Sequence, residues 1–226
     1  MADKKQTQDP LDLEVAMSSS EAFIIKYKNK FLAGIAAIVI VVGGVLGYQH
    51  FIAEPNEKKA SEALFKGEQY FMADNYEFAL NGDSLGYEGF LKVADEFSGT
   101  EAGQLANAYA GICYKNLGKN DEAIKYLKKF SADDNLVSPA IYGAIGDCYF
   151  ESNSIKDAES YYKKAIDSKN NMIAPLYTYR LAMLYFNNGD NAKAAELMEK
   201  LKDDYPQSNE ASDADKYIEY FQNLKK

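Results

Sequence analysis

The feature that most limits what this chain can fold into is a period of about 35 residues in its second half. Three segments align on a tyrosine: NAYAGICYKNLGKNDEAIKYLKKF from Asn107, YGAIGDCYFESNSIKDAESYYKKA from Tyr142 and TYRLAMLYFNNGDNAKAAELMEKL from Thr178. Tyr114, Tyr149 and Tyr185 stand 35 and 36 residues apart, and Ala123, Ala158 and Ala194 keep the same two spacings. Gly111, Gly146 and Ala182 lie three residues before each tyrosine, and Leu127, Tyr162 and Met198 four after each alanine. Such a period marks stacked units, each too small to bury its own apolar face. Small residues let the two helices of a hairpin approach, and the large ones fill the space between hairpins. Pro139 and Pro175 open the first helices of their units, where a missing N–H costs nothing. Ser154-x-x-Asp157 reads as a capping box and Asp190 as an N-cap.

A degenerate unit precedes these three. Residues 57–73 carry Ala63, Gly67 and Tyr70 at the spacing of a first helix. A longer link, residues 74–84, then leads to a second helix over 85–97, with Ser84 as its N-cap. The link absorbs the roughly nine extra residues between Gly67 and Gly111. At the other end Ala211, Ala214, Ile218, Phe221 and Leu224 follow a helical period over 209–224. They predict a capping helix, which a stack of repeats needs to cover its last apolar face.

The pattern resembles the tetratricopeptide repeat, a helix-turn-helix unit of about 34 residues. The match lies in the small residue at position 8, Tyr at 11, Ala at 20, a large apolar residue at 24, and Pro206 at position 32 of the last unit. The tryptophan expected at position 4 is replaced by Asn107, Tyr142 and Thr178. The resemblance implies a concave face lined by positions 2, 5, 9, 12 and 13 of each first helix. Here these are Leu105, Ala108, Ile112, Lys115 and Asn116; Ala140, Gly143, Asp147, Phe150 and Glu151; and Leu176, Tyr179, Met183, Phe186 and Asn187. The protein-binding residues expected from this placement are Leu105, Ile112, Asp147, Phe150, Leu176, Tyr179, Met183 and Phe186. A subtype that grips a C-terminal carboxylate needs Lys and Asn at set positions, and Ala108, Gly143 and Tyr179 occupy position 5 instead. What remains is a neutral to apolar groove suited to a helix or an extended apolar peptide, unless the capping helix or the first unit fills it.

A second signal stands apart from the repeats. Residues 31–47, FLAGIAAIVIVVGGVLG, carry no charge. Extended to Ile52 as a helix they would reach roughly 33 Å, enough for a hydrocarbon core of roughly 30 Å. Tyr27 and Tyr48 stand at the two expected interfaces. No A-x-A cleavage site follows, so the segment reads as an uncleaved anchor. Lys26, Lys28 and Lys30 crowd its N-terminal flank, against Lys58 and Lys59 beyond it. The positive-inside rule therefore places residues 1–30 in the cytoplasm and 53–226 outside. Gly43 and Gly47 form a small-residue spacing that lets membrane helices pack. The resulting organisation is a flexible cytoplasmic tail over 1–22, a juxtamembrane and transmembrane helix over 23–52, and a repeat domain over 53–226.

Composition removes most catalytic classes. The only histidine, His50, leaves no Ser-His or Cys-His pair in the repeat domain and no multi-histidine metal site. With 25 basic against 34 acidic residues and a net charge of -9, the chain lacks the basic surface nucleic acid requires. Of the basic residues all but Arg180 are lysine. Gly82-Asp83-Ser84-Leu85 matches an esterase nucleophile block but has no partner histidine beyond position 50. Cys113 and Cys148 share one repeat position, where stacking would hold them too far apart for a disulfide. They read as buried small side chains. No cofactor, metal or catalytic residue is expected.

The whole layout of short tail, Lys-rich flank, Gly/Ala-rich span and tetratricopeptide domain is similar to the YfgM-like family of ancillary Sec translocon subunits. That resemblance implies a bacterial inner-membrane, single-pass protein with its C-terminal domain in the periplasm. It implies translocon subunits, periplasmic chaperones or secreted clients as partners, the bilayer contacted through one helix, and no nucleic acid. An envelope or secretion-system assembly scaffold and a homo-oligomeric organiser are the alternatives. The fold class expected is all-α, a single transmembrane helix followed by an α-solenoid of about four helical hairpins and a cap.

Overall fold

The computed structural model describes residues 10–132 and 134–224, with side chains from Phe23 onward. The chain separates into two compact units, Met1–Pro55 and Asn56–Lys226. The first half of the tail read as flexible, residues 1–9, lies outside the described residues, and helix α1 (Pro10–Tyr48) runs through the rest of it. A π-helical stretch, Gln49–Ala53, follows α1, and within it His50 Nδ1 lies 3.1 Å from Glu54 Oε2. Phe31, Leu32, Ile35, residues 38–42, Val45 and Leu46 are all exposed. A helix satisfies its own backbone hydrogen bonds, so only its side chains must match the surrounding solvent, and these match hydrocarbon. Among the described residues this is the one helix long and apolar enough to cross a membrane.

The second unit is a run of antiparallel helical hairpins. Its helices are α2 (Glu54–Met72), α3 (Tyr76–Asn81), α4 (Phe90–Glu96), α5 (Glu101–Asn116), α6 (Asn120–Leu127), α7 (Val137–Glu151), α8 (Ile155–Asp167), α9 (Ala174–Asn187), α10 (Asn191–Asp204) and α11 (Ala214–Asn223). The pairs α5–α6, α7–α8 and α9–α10 are the three repeats read from the sequence. Ala123, Ala158, Ala194, Leu127 and Met198 are wholly buried, and Tyr162 nearly so. A methyl group added at Gly111 would come 2.5 Å from Leu127 Cγ, and one at Gly146 2.5 Å from Tyr162 Cδ1. The small and large positions are thus the two sides of one contact, which close packing does not let either side change alone.

All four hairpins turn in the same way. Asp74, Gly118, Asn153 and Gly189 each lie four residues after the repeat tyrosine and have φ of 57°, 73°, 58° and 81°. The next residue's N–H reaches back to that tyrosine's carbonyl: Asn75 to Tyr70, Lys119 to Tyr114, Ser154 to Tyr149 and Asp190 to Tyr185, at 2.8–2.9 Å. This is the Schellman closure, which satisfies the last helical carbonyls through one left-handed residue. Asp190 then caps α10 by accepting from the Lys193 N–H at 3.2 Å. Ser154 occupies the N-cap of α8 but its side chain makes no capping bond, so the expected capping box does not close.

The first hairpin of the second unit departs from the sequence expectation. Its second helix begins directly after the turn, as α3, with Ala79 wholly buried twelve residues after Gly67, the same offset as in the other units. The extra residues are inserted inside that helix rather than before it. Gly82, Gly86 and Gly89, with φ of 87°, 102° and 90°, break the helix and make a loop. Asp83 organises the loop, accepting from the N–H groups of Leu85 at 2.7 Å and Tyr87 at 3.0 Å and from the Tyr70 hydroxyl. The helix resumes as α4, capped at Gly89, and Ser84 caps nothing. Tyr87 and Phe90 then fill the space over Gly67 that Leu127 and Tyr162 fill over their glycines. Glu57 of α2 caps α5, accepting from the N–H groups of Glu101 at 2.8 Å and Ala102 at 2.9 Å. At the far end the cap starts at Ala214, five residues later than the periodicity suggests, and buries Phe221 against α10.

The candidate protein-binding groove

A groove of about 240 Å³ opens between α7 and α9. Asp147, Phe150 and Glu151 line it from α7, and Tyr179, Arg180, Met183 and Asn187 from α9. All of these but Arg180 were expected on the concave face, and four, Asp147, Phe150, Tyr179 and Met183, are among the expected protein-binding residues.

Asp147 is not the open lining residue expected. It is only 5% exposed. A buried carboxylate is costly unless paired and hydrogen-bonded. Three helices supply its partners. Tyr162 of α8 donates its hydroxyl to Oδ1 at 3.0 Å, Arg180 of α9 pairs with the same oxygen, and Lys115 Nζ of α5 lies 3.6 Å from Oδ2. Burial and then the Asp147 charge raise the Tyr162 pKa, so its hydroxyl stays a donor. Burial works against the Arg180 charge, but the Asp147 hydrogen bond and charge outweigh it and raise its pKa. Arg180 also lies over the Tyr177 ring, its Cζ 5.5 Å from the centroid. Desolvation holds Tyr177 up to about 12.

Gly143, expected on the concave face at position 5, is buried under Tyr177, whose ring occupies the place of a β-carbon. Ala108 is likewise buried. Position 5 in these two units therefore serves packing between hairpins rather than a ligand. Leu105 and Ile112 are half-buried against the clusters around α5 and α7 and do not reach the groove. Phe186 is taken up by the capping helix, its ring 4.7 Å from Phe221 and 5.7 Å from Tyr220. Tyr179 lies between two sites: its hydroxyl is 3.1 Å from that of Tyr217 on α11, and with Leu176 it also lines a shallower pocket beside Asn209, Glu210 and Asp213. Arg180 was not among the expected residues, although its being the sole arginine in the chain was a signal.

The remaining sequence candidates are placed simply. Ser84 sits exposed on the loop between α3 and α4. Cys113 and Cys148 are free and buried, and desolvation pushes both thiols up to about 12. At Gly43 and Gly47 an added methyl group would meet nothing within 4 Å.

Known proteins carry the same architecture. Residues 110–173 and 178–208 match family models of the tetratricopeptide repeat. The nearly identical TPR-like repeats of a Podosopora anserina protein assigned as a kinesin light chain (the Q17M variant) superpose with a TM-score of 0.56. They share 11% identity, over 73% of this chain and 85% of that one. A crystal structure of MamA superposes with a TM-score of 0.55 at 20% identity, over 72% of this chain and 88% of that one. No curated protein matches the sequence.

Proposed function

We propose that this chain is a membrane-anchored, non-enzymatic adaptor whose repeat unit engages protein partners through the groove between α7 and α9. The observation that carries the reading is the Asp147–Arg180–Lys115 cluster beside Phe150, Tyr179 and Met183. A buried carboxylate held by two cations, next to apolar and aromatic side chains, suits an extended or helical peptide with a few polar groups. Tetratricopeptide repeats are interaction scaffolds, which supports the class.

The finer proposal is an ancillary role at the bacterial Sec translocon. Helix α1 would cross the inner membrane once, with its N-terminus in the cytoplasm and the repeats in the periplasm beside chaperones and secreted clients. The lysine bias around the span and the layout of the chain support it. The test is a photo-crosslinker at Phe150 in the full chain, followed by detergent extraction and identification of captured proteins. Translocon subunits, chaperones or secreted clients are the expected catch. Envelope or secretion-system assembly components instead would replace the translocon reading with the scaffold alternative. Capture of nothing but the chain itself would refute both. Protease access to Lys58 and Lys59 in spheroplasts checks the topology, since the opposite orientation leaves them protected. The homo-oligomer reading rests on the open small-residue face at Gly43 and Gly47. Sedimentation of the Gly43→Leu/Gly47→Leu chain against the parent tests it.

A further inference from the structure

A second pocket, of about 250 Å³, opens where α6, the loop after it and the N-terminal half of α7 meet α8. None of its lining residues belongs to the groove between α7 and α9. Leu127, Phe130, Ile141 and Ile145 give it an apolar interior, and Tyr142 and Tyr161 wall it. Lys128 and Lys164 also line it, and among the described residues no carboxylate does. In a chain with 34 acidic residues and a net charge of -9, that is a local inversion of the surface.

The two lysines are held by aromatic groups instead of acids. Lys128 donates to the Tyr149 hydroxyl at 2.7 Å and lies 5.2 Å from the Tyr149 ring centroid and 5.5 Å from that of Tyr161. Lys164 lies 4.5 Å from the Tyr161 centroid and 5.9 Å from that of Tyr142. Among the described residues neither ammonium has a carboxylate partner. Asp134, in the loop between α6 and α7, turns its carboxylate to the start of α7. It accepts from the N–H groups of Leu136, Val137 and Ser138 and from the Ser138 hydroxyl. Two ring-positioned ammonium groups beside an apolar cavity retain their positive field for a ligand, since an aromatic face orients a cation without neutralising it.

We propose that this pocket binds a small organic anion: a carboxylate or phosphate monoester on an aromatic or branched aliphatic body. The body would enter between Ile141, Ile145 and Tyr161, and the head would lie between Lys128 and Lys164. The volume is below that of most drug-sized sites, which suits a compact ligand. The same chemistry is available from a free organic acid and from the head of an anionic lipid.

Calorimetric titration of the full chain in a nonionic detergent tests the site, with phenyl phosphate and phenylacetate as probes. Inorganic phosphate tests the need for the apolar body, and benzyl alcohol the need for the charge. The expected result is saturable binding of both aryl anions, with inorganic phosphate and benzyl alcohol each at least about tenfold weaker. Lys128→Gln and Lys164→Gln should each weaken binding about fivefold, the upper range for an exposed ion pair, and 0.5 M salt should weaken it further. Lys156→Gln, on the exposed face of α8, should change nothing. Thermal unfolding of each variant separates loss of a ligand contact from loss of fold. No saturable binding of either aryl anion, equal binding of benzyl alcohol, or unchanged affinity in both lysine variants would overturn the proposal. Vesicles of phosphatidic acid that displace phenyl phosphate would assign the head to a lipid, and failure to displace it would assign the site to a free acid.

Discussion

Replacing Arg180 by methionine should destabilise the repeat unit more than its position on a groove wall suggests. The change keeps much of the side-chain volume but leaves the Asp147 carboxylate, 7% exposed as a side chain, without its closest cation. Removing one partner of a fully buried ion pair costs about 3–5 kcal/mol. Two features reduce that here. The Arg180 side chain is 39% exposed, and Asp147 keeps Tyr162 at 3.0 Å and Lys115 at 3.6 Å. The expected cost is then about 2 kcal/mol, which lowers the melting temperature of a unit this size by about 4–8 °C. The decisive comparison is Asp147→Asn in the Arg180→Met background, because it removes the stranded charge. The double variant should recover at least about 1 kcal/mol relative to Arg180→Met alone, a coupling that independent sites do not produce. Thermal unfolding of the four members of the cycle, followed by circular dichroism at 222 nm, measures it. If Arg180→Met costs under about 0.5 kcal/mol, or if the two substitutions are additive, then the cluster does not hold α7 and α9 together.

Other residues make equally specific predictions. Gly143→Ala should cost about 1–3 kcal/mol, because the added methyl overlaps the buried Tyr177 ring; an unchanged urea midpoint would show that the ring moves freely. Gly118→Ala and Gly189→Ala meet nothing within 4 Å, so their cost of about 1–2 kcal/mol each would be purely that of a left-handed backbone. Burial raises the pKa of Tyr87, Tyr162, Tyr109 and Tyr177, the last two to about 12. Their contribution to stability is complete below the free tyrosine value of about 10 and disappears as pH rises from there through the folded values. Alkaline unfolding should therefore begin above about pH 10, and the share of the 295 nm ionisation change that these four buried tyrosines contribute should track the loss of helix rather than precede it. Cys113 and Cys148, buried and held protonated, should react with a thiol reagent only on unfolding; rapid native-state labelling would contradict their burial.

How much of this was readable without coordinates depends on the range of each interaction. The small–large pairs, Gly111 with Leu127 and Gly146 with Tyr162, recur at one offset inside a hairpin, so their pattern revealed the partner. The turn residue four places after each tyrosine also recurs at one offset, but Asp74 and Asn153 stand where the other two hairpins have glycine, so the slot showed only in the structure. The first unit was misread because the three loop glycines interrupt its second helix after only six residues, and a helix that short gives no period. Ala79 marked the true register. The groove residues were half legible, since repeat position predicts which face a side chain leaves from but not what then covers it. Asp147 and Gly143 leave the concave face, and Arg180 and Tyr177, contributed by the next hairpin, close over them.

The amino-acid sequence by itself determined the membrane-length apolar helix, the hairpin repeat and the complementarity within each hairpin. All of these arise from residues within about one period of each other, where chain geometry leaves one arrangement. Tertiary structure alone decided which concave residues remain open: the capping helix takes Phe186, and Tyr162, Arg180 and Lys115 converge from three helices on one carboxylate. It also set two lysines over a shared tyrosine ring at the mouth of a second pocket. These arrangements depend on how successive hairpins stack, and stacking is governed by side-chain volumes and charges that no single repeat contains.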